Sequence, residues 1–494
     1  MFNYLSNTFA FFVLTLRSYN IFAQRDMDIN EILSLDTAQA KISALQEKSV
    51  DIPEWETLLP DYEPTKHEIL VDKTNRVDKV RSDGSIEPAS RITVGLEKLL
   101  TKRVNEFTFA IPVRRIYSNT DDNEMRQQIA KALELIFKYA RIDSENIRRG
   151  LAYYACCEIL TVWYTVDKEH NLYGFPCKKK LKCQTFSPMD GTKLYPLFDD
   201  LGDLVAVSFE YIRKVKNDEV TFFETYTANK HFKWRNDKDG WNEVTVEGGE
   251  DIEIMKIPAI YNYRPQPVYH GLSVLRKEIE YALSRNSDVI AYNSAPVLKI
   301  AGGMQGEEKK GEGKRVVRVV NGGDVSYVSW QQSIDALKYH VDTLLKLFFM
   351  QAQIPDVSFE NMKDLGNIGY DARMTLLMDA HLKIGDESGR WLEFLDREVN
   401  VVKAFLKSIN VKWAKEINNV DVENVITPFV QNDRKGLIDT LTAANGGKAL
   451  MSQLDSIREL GESNDPEATL KQIQEEDNAS SANRMENLFN TGAI

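Results

Sequence analysis

Six histidines stand at positions 67, 170, 231, 270, 340 and 381 of the 494-residue chain, and four cysteines at 156, 157, 177 and 183. Such residues do metal and nucleophile chemistry when they cluster, and here they are scattered. There is no HExxH and no Cys/His run with the paired spacing of a zinc site. Cys156 and Cys157 lie in an apolar, strand-like stretch and read as buried thiols. Cys177 and Cys183 flank a lysine-rich turn without two further ligands nearby. The run Gly302-Gly303-Met304-Gln305-Gly306 lacks the GK[ST] ending of a phosphate loop. Asp121-Asp122 and Asp199-Asp200 read as solvated turns, not as nuclease carboxylates. No nucleophile, base and orienting group come together. The expectation is no catalytic residue, no metal, no cofactor and no enzyme.

What remains is charge. Lys309, Lys310, Lys314, Arg315 and Arg318 are interleaved with Glu307, Glu308 and Glu312. This cluster reads either as a solvated hairpin tip or as a contact for an acidic partner or DNA. Overall, 62 Lys+Arg against 74 Asp+Glu give a net charge of −12. That argues against a protein that coats nucleic acid, though not against one that lets DNA slide past. With 43% hydrophobic and 28% charged residues, the chain reads as soluble and folded, with material for about three domain-sized units. Four cysteines are too few for a disulfide framework. Beyond residue 24 no apolar run approaches the ~20 residues that span a bilayer.

Residues 1–26 do not match the rest. The apolar stretch 9–16 (FAFFVLTL) resembles a signal core, but no basic residue precedes it and Arg17 cuts it short. It reads as a start placed too early, with Met27 as the true beginning, or as a cleaved export segment, or as an ordered terminal segment.

The elements fall into two halves. Residues 28–49 are helical, with Asp36 a possible cap, and 51–88 carry Pro53, Pro60, Pro64 and Pro88 and read as an extended arm. Amphipathic helices are predicted over 92–104, 123–139 and 143–155. The period then changes to two, predicting strands at 158–166, 205–212, 220–226 and 231–234. Residues 92–262 therefore read as one α+β domain. In the second half a helix over 271–295 and another over 333–353 bracket a glycine-rich, charged β module. Leu275, Ile279, Leu283, Leu344 and Phe348 lie on their apolar faces, and Glu278, Glu280, Arg285 and Asp288 on a polar one. Such a hairpin has too little core alone, so neighbouring subunits are expected to pack on it. A polar loop, 356–369, comes after Pro355. The helix from Tyr370 to Ile409 is about 40 residues, or ~60 Å. Met378, Leu382, Gly385, Gly389, Leu392, Leu395, Val399, Val402, Leu406 and Ile409 read as one packing stripe along it, and the two glycines as a kink. A strand at 420–430 and a small helical tail come next, and the chain turns polar after Gln474.

Four segments together resemble the tailed-bacteriophage portal proteins of siphophage type. Residues 89–92 (ASRI) open a helix running to the stretch 107–113 (FTFAIPV). Residues 269–275 (YHGLSVL) open the long helix that ends at 292–296 (YNSAP). The stretch 349–356 (FMQAQIPD) precedes the polar loop and 369–373 (GYDAR). Last, the long helix feeds a small helical C-terminal region.

The resemblance implies an α+β portal fold assembled as a ring of about twelve subunits. It divides the chain into an N-terminal extension (1–26), a helix and arm (27–88), a wing (89–269), stem helices (270–295 and 333–353) and a clip (296–332). A tunnel loop (354–369), a long kinked wing helix with strand (370–432), a helical crown (433–476) and a disordered tail (477–494) complete the division. It places Asp356, Glu360, Asn361, Lys363, Asp364 and Asn367 in the channel and the five basic clip residues against DNA or a partner. It assigns packaging and ejection of double-stranded DNA through the ring. The implied partners are the terminase large subunit, a head-completion adaptor, and the major capsid and scaffolding proteins, with no membrane. The chain would assemble in the host cytoplasm and reside at the portal vertex of the virion. Two other readings stand beside it. A secreted or periplasmic α+β binding protein is favoured only by residues 1–24, and a DNA-cutting enzyme only by isolated aspartates.

Overall fold

The computed structural model of the chain describes residues 28–80, 82–120, 123–215, 218–237, 240–293, 297–301, 304–310, 314–319, 324–328, 334–356, 375, 377–429, 434–446, 449–461, 463 and 466–491. The fold is α+β. The chain divides into two units, Met1–Ile354 with Ala380–Phe429, and Pro355–Asp379 with Val430–Ile494.

The first unit begins with α1 (Ile29–Leu33) and α2 (Ala38–Leu45). Asp28 and Glu31 form a capping box on α1. Thr37, not Asp36, caps α2, its hydroxyl accepting from the Ala40 N–H. The proline-bearing arm is not simply extended. It holds α3 (Trp55–Tyr62) and α4 (Glu68–Val71), then a small hairpin of β1 (Lys79–Val80) and β2 (Ile86–Glu87). Pro53 precedes α3 and Pro64 opens a short 3-10 turn, positions where a missing N–H is not needed.

Next come α5 (Leu96–Phe109), β3 (Arg114–Ser118), α6 (Glu124–Ala140) and α7 (Ile142–Cys156). Cys156 and Cys157 are buried, but at a helix end and not in a strand: Cys157 takes φ 70° and terminates α7. The β region holds β4 (Glu158–His170), β5 (Cys177–Phe186), β6 (Lys193–Phe198), β7 (Leu204–Val215), β8 (Asp218–Thr227) and β9 (Lys230–Asp237). β10 (Gly240–Glu243), β11 (Glu250–Asp251) and β12 (Ala259–Tyr263) complete it. One antiparallel sheet runs β10-β9-β8-β7-β6 with β11 beside β9, and a second runs β12-β4-β5. Here the lysine-rich turn expected between Cys177 and Cys183 is instead strand β5. Cys177 and Leu181 point inward, and the alternate lysines 178 and 182 are exposed.

The larger sheet buries Phe223, Phe232 and Trp234 against Ile29, Ile32, Ile42 and Leu45 of the first two helices. Its other face meets the smaller sheet through Val207, Phe209 and Leu194 against Leu160, Val162, Ala259 and Tyr261. Helix α8 (Ser273–Asn293) then leads to β13 (Val297–Ala301), β14 (Met304–Lys310), β15 (Lys314–Val319) and β16 (Asp324–Val328). β14 pairs with β15 inside a β13–β16 pair. The chain returns through α9 (Ile334–Ala352). Helix α10 (Met378–Ile409) and β17 (Asp421–Val425), which pairs with β3, close the unit.

The second unit contains α11 (Arg434–Asn445), α12 (Gln453–Leu460) and α13 (Pro466–Thr491). The sequence does not lose its helix after Gln474, because no proline or glycine interrupts 467–491. The tail expected to be disordered from 477 is helical to Thr491.

Candidate functional site

Arg276, Glu280, Ser284 and Asp288 recur every four residues and so lie along one face of α8. All four are gripped by the arm and by α5. The Arg276 guanidinium, wholly buried, donates from Nε to Glu97 Oε1 (2.7 Å), from Nη1 to Glu280 Oε2 (2.8 Å) and from Nη2 to Asp61 Oδ1 (2.7 Å). Glu280 Oε1 accepts from the Val94 N–H (2.8 Å) and lies 2.5 Å from His67 Nδ1. The other ring nitrogen of His67 is 3.2 Å from the Asp61 carbonyl, which can only accept, so that nitrogen carries hydrogen. One turn further, the Ser284 hydroxyl accepts from the Ile92 N–H (2.8 Å). Another turn on, Asp288 pairs with Arg76 and accepts from the Ser90 N–H (2.7 Å).

These contacts set the electrostatics. Burial pushes the Glu97 carboxyl up, and Arg276 only partly opposes it; Glu97 Oε2 is buried with no partner. Burial also works against the charged form of Glu280, but the hydrogen bonds from His67 and Val94 and the charge of Arg276 outweigh it and hold that carboxyl low. Glu280 and Asp288, expected on the polar face of this helix, are structural contacts. The four-residue polar ladder could not have revealed them, because mixed charge at i, i+4 spacing is equally the mark of a solvent-exposed helix face.

A second anchor fixes the return helix. Arg149 of α7 forms a two-pronged pair with Glu398 of α10 (2.7 and 3.3 Å), both buried, and Trp163 Nε1 donates to Glu398 Oε1 (2.9 Å). Lys383 Nζ donates to the Ala352 carbonyl at the end of α9 (2.7 Å). Burial, with the charge of Arg264 adding to it, pushes the Lys383 amine down to about 8.

The residues singled out from sequence fare unevenly. Ile279 (1% exposed) and Phe348 (0%) are already buried by their own chain, so they have no face left for a neighbouring subunit. Leu275, Leu283 and Leu344 are half-buried. Among the described side chains, the large apolar ones that the two helices leave open are Val274, Tyr281, Ile290, Tyr339 and Met350. Met378 and Leu382 are exposed, and so are Gly385 and Gly389, where an added Cβ would meet nothing within 4 Å. The expected stripe holds in the second half of α10, where Leu395, Val399, Val402 and Leu406 are buried; in the first half Ala380, Ile384 and Trp391 are the buried residues instead. The helix, 32 residues and about 48 Å long, is assigned without a break through both glycines.

Between β14 and β15, Lys309 lies opposite Arg315 and Lys310 opposite Lys314, with Arg318 opposite Gly306. The β14–β15 pair thus gathers all five basic residues onto one hairpin. Of the loop residues, Asp356 is half-buried; Glu360, Asn361, Lys363, Asp364 and Asn367 lie outside the described residues. Among the described residues no three His, Cys, Asp or Glu side chains are grouped to hold a metal. All four cysteines are free thiols, and no described helix is long and apolar enough to cross a membrane.

These contacts tie helix α8 to the arm and α5, and helix α10 to α7. The family model described as "Phage portal protein, SPP1 Gp6-like" matches residues 45–482, and the chain belongs to that family. The family is structural and non-enzymatic, which makes the chain a phage virion component. No curated protein matches the chain. Among solved structures the chain is similar to one titled "Neck of empty GTA particle computed with C6 symmetry", at 12% identity, over 81% of this chain and 94% of that one, with a TM-score of 0.38. A likeness that loose carries no weight.

Proposed function

We propose that this chain is the subunit of a portal ring of about twelve copies, set at one vertex of a phage capsid, through whose channel double-stranded DNA is packaged and ejected. The observation that carries the reading is the family match across residues 45–482. In this reading α8 and α9 are the stem, the strands from Val297 to Val328 the clip, and residues 354–369 the loop at the channel. The body of residues 89–269 and helix α10 form the wing, and the helices after residue 433 the crown. Stem packing between subunits falls to the residues the single chain leaves open: Tyr339 and Met350 share one face of α9, eleven residues apart.

The net charge of −12 suits a channel that a polyanion traverses without sticking. The basic hairpin of Lys309, Lys310, Lys314, Arg315 and Arg318 is the natural dock for the terminase large subunit or a head-completion adaptor. Contacts with the major capsid and scaffolding proteins belong to the wing. Tyr339→Glu combined with Met350→Glu is expected to abolish rings while leaving the secondary structure of the subunit intact. Mass photometry beside circular dichroism checks this, and intact rings in that variant would remove α9 from the subunit interface.

A further inference from the structure

The two largest sheets of the first unit, β10-β9-β8-β7-β6 and β12-β4-β5, share a core at one end. Where they meet, Leu160, Val162, Val207 and Phe209 share one core. Toward the β4–β5 turn the facing side chains change character. On the smaller sheet Tyr164 and Val166, each 37% exposed, sit opposite Lys182 and Lys180. On the larger sheet Tyr211 and Arg213 follow Phe209 along β7, and Glu224 and Lys233 lie beside them on β8 and β9. Between the sheets opens a cleft of about 370 Å³, lined by Arg148, Tyr164, Tyr211, Arg213 and Lys233 among others; Lys182 and Lys180 are not in that lining but stand beside Tyr164 and Val166 on the same face of the smaller sheet.

The charges here are not balanced internally. Glu224 is committed: Lys233 Nζ (2.7 Å) and Tyr211 Oη (2.6 Å) donate to it, and a ring nitrogen of His231 lies 3.1 Å away. Burial opposes its charge, but these contacts prevail and hold it at about 2. Among the described residues Lys180, Lys182 and Arg213 have no ion-pair partner; Arg213 only lies over the Tyr211 ring, 5.7 Å from its centre. An acidic chain thus keeps a run of unpaired cations beside aromatic rings. The outer edge of β5 is not open to strand addition. Tyr173 Oη bonds the Leu181 N–H (3.0 Å), His170 Nε2 faces the Lys179 carbonyl (3.2 Å), and Arg148 donates to the Thr185 carbonyl (3.0 Å). Recognition in this cleft therefore works through side chains.

We infer that the cleft between the sheets docks an acidic segment of a partner polypeptide, its carboxylates pairing with Arg213, Lys182 and Lys180 and an apolar side chain lying on Tyr164 and Tyr211. Charge complementarity selects an anion. Asp190 and Glu224, which also line the cleft, favour separate carboxylates, which can be placed around them, over a continuous phosphate backbone, which cannot. The overall charge of −12 further disfavours a long nucleic acid. The site stands on the wing geometry alone and does not depend on ring formation.

Fluorescence anisotropy on the full chain tests this, with a labelled glutamate-rich peptide carrying one tyrosine, and with single-stranded and duplex oligonucleotides of similar charge. The peptide is expected to bind, weakening with salt, and Lys182→Glu with Arg213→Glu is expected to lower its affinity by about tenfold or more. Both residues are exposed, and unchanged melting curves verify that the variant folds. The same charge change at Lys102→Glu with Lys131→Glu, on exposed positions of α5 and α6, should leave binding unaltered. Tighter binding of either oligonucleotide, equal loss in the control variant, or no binding of the peptide by the wild-type chain would each overturn the assignment. In the last case the lysines only keep a sheet edge soluble.

Discussion

At the scale of single residues, the anchor of α8 depends on Arg276. Three carboxylates converge on it in a site with no water-exposed surface on the guanidinium. Removing it leaves Glu97 buried with no cation and Glu280 with only His67 and the Val94 N–H, so Arg276→Leu is expected to destabilise the chain by about 3–5 kcal/mol in urea unfolding. A loss under about 1 kcal/mol would mean that water reaches the cluster. Lys383 supplies the pH signal. Its folded value is about 8 against an ordinary 10.5, so between those two values the unfolded chain binds more protons than the folded one. Stability should therefore rise with pH across that window. Lys383→Met removes the buried amine and should flatten the rise, measured as the denaturation midpoint at pH 7.5, 9 and 10.

At the scale of elements, α10 separates two reasons for a helical glycine. Gly385 and Gly389 are exposed, with room for a Cβ. Within one chain, Gly→Ala at both should stabilise the helix by about 1 kcal/mol per site. If a neighbouring subunit lies close against that face in a ring, the same double variant should melt higher as a subunit yet assemble poorly; thermal melting and mass photometry on one sample read both. The expected stripe is right from Leu395 to Leu406 but runs onto the wrong face at Met378, Leu382 and these glycines. Periodicity gives spacing, while Trp391, whose ring packs edge-on against Phe109 at 4.8 Å, shows which side has a partner. Strand β5 is hidden for a related reason: three consecutive lysines look like a turn until Cys177, Leu181 and Thr185 are counted as one inward face. The helix–β–helix excursion and the β-rich body are legible in the sequence because length and alternation alone define them. The arm's grip on α8 is not, because its partners lie about 200 residues apart in the chain.

At the scale of the whole molecule, the described residues of α8 and α9 leave Val274, Tyr281, Ile290, Tyr339 and Met350 open. That much open apolar surface on two helices is what a closed symmetric assembly would cover. The acidic charge makes a second demand on such an assembly. Purified rings should retain duplex DNA only weakly, with retention falling as salt rises, because few phosphates are neutralised at once; a gel-shift series across salt concentrations checks it. The central claim, that the chain works as a portal ring, is tested most directly by negative-stain images of the purified full-length protein. The account predicts end-on class averages showing a rotationally symmetric ring with a central hole. Class averages showing only isolated globular particles at every concentration would contradict it.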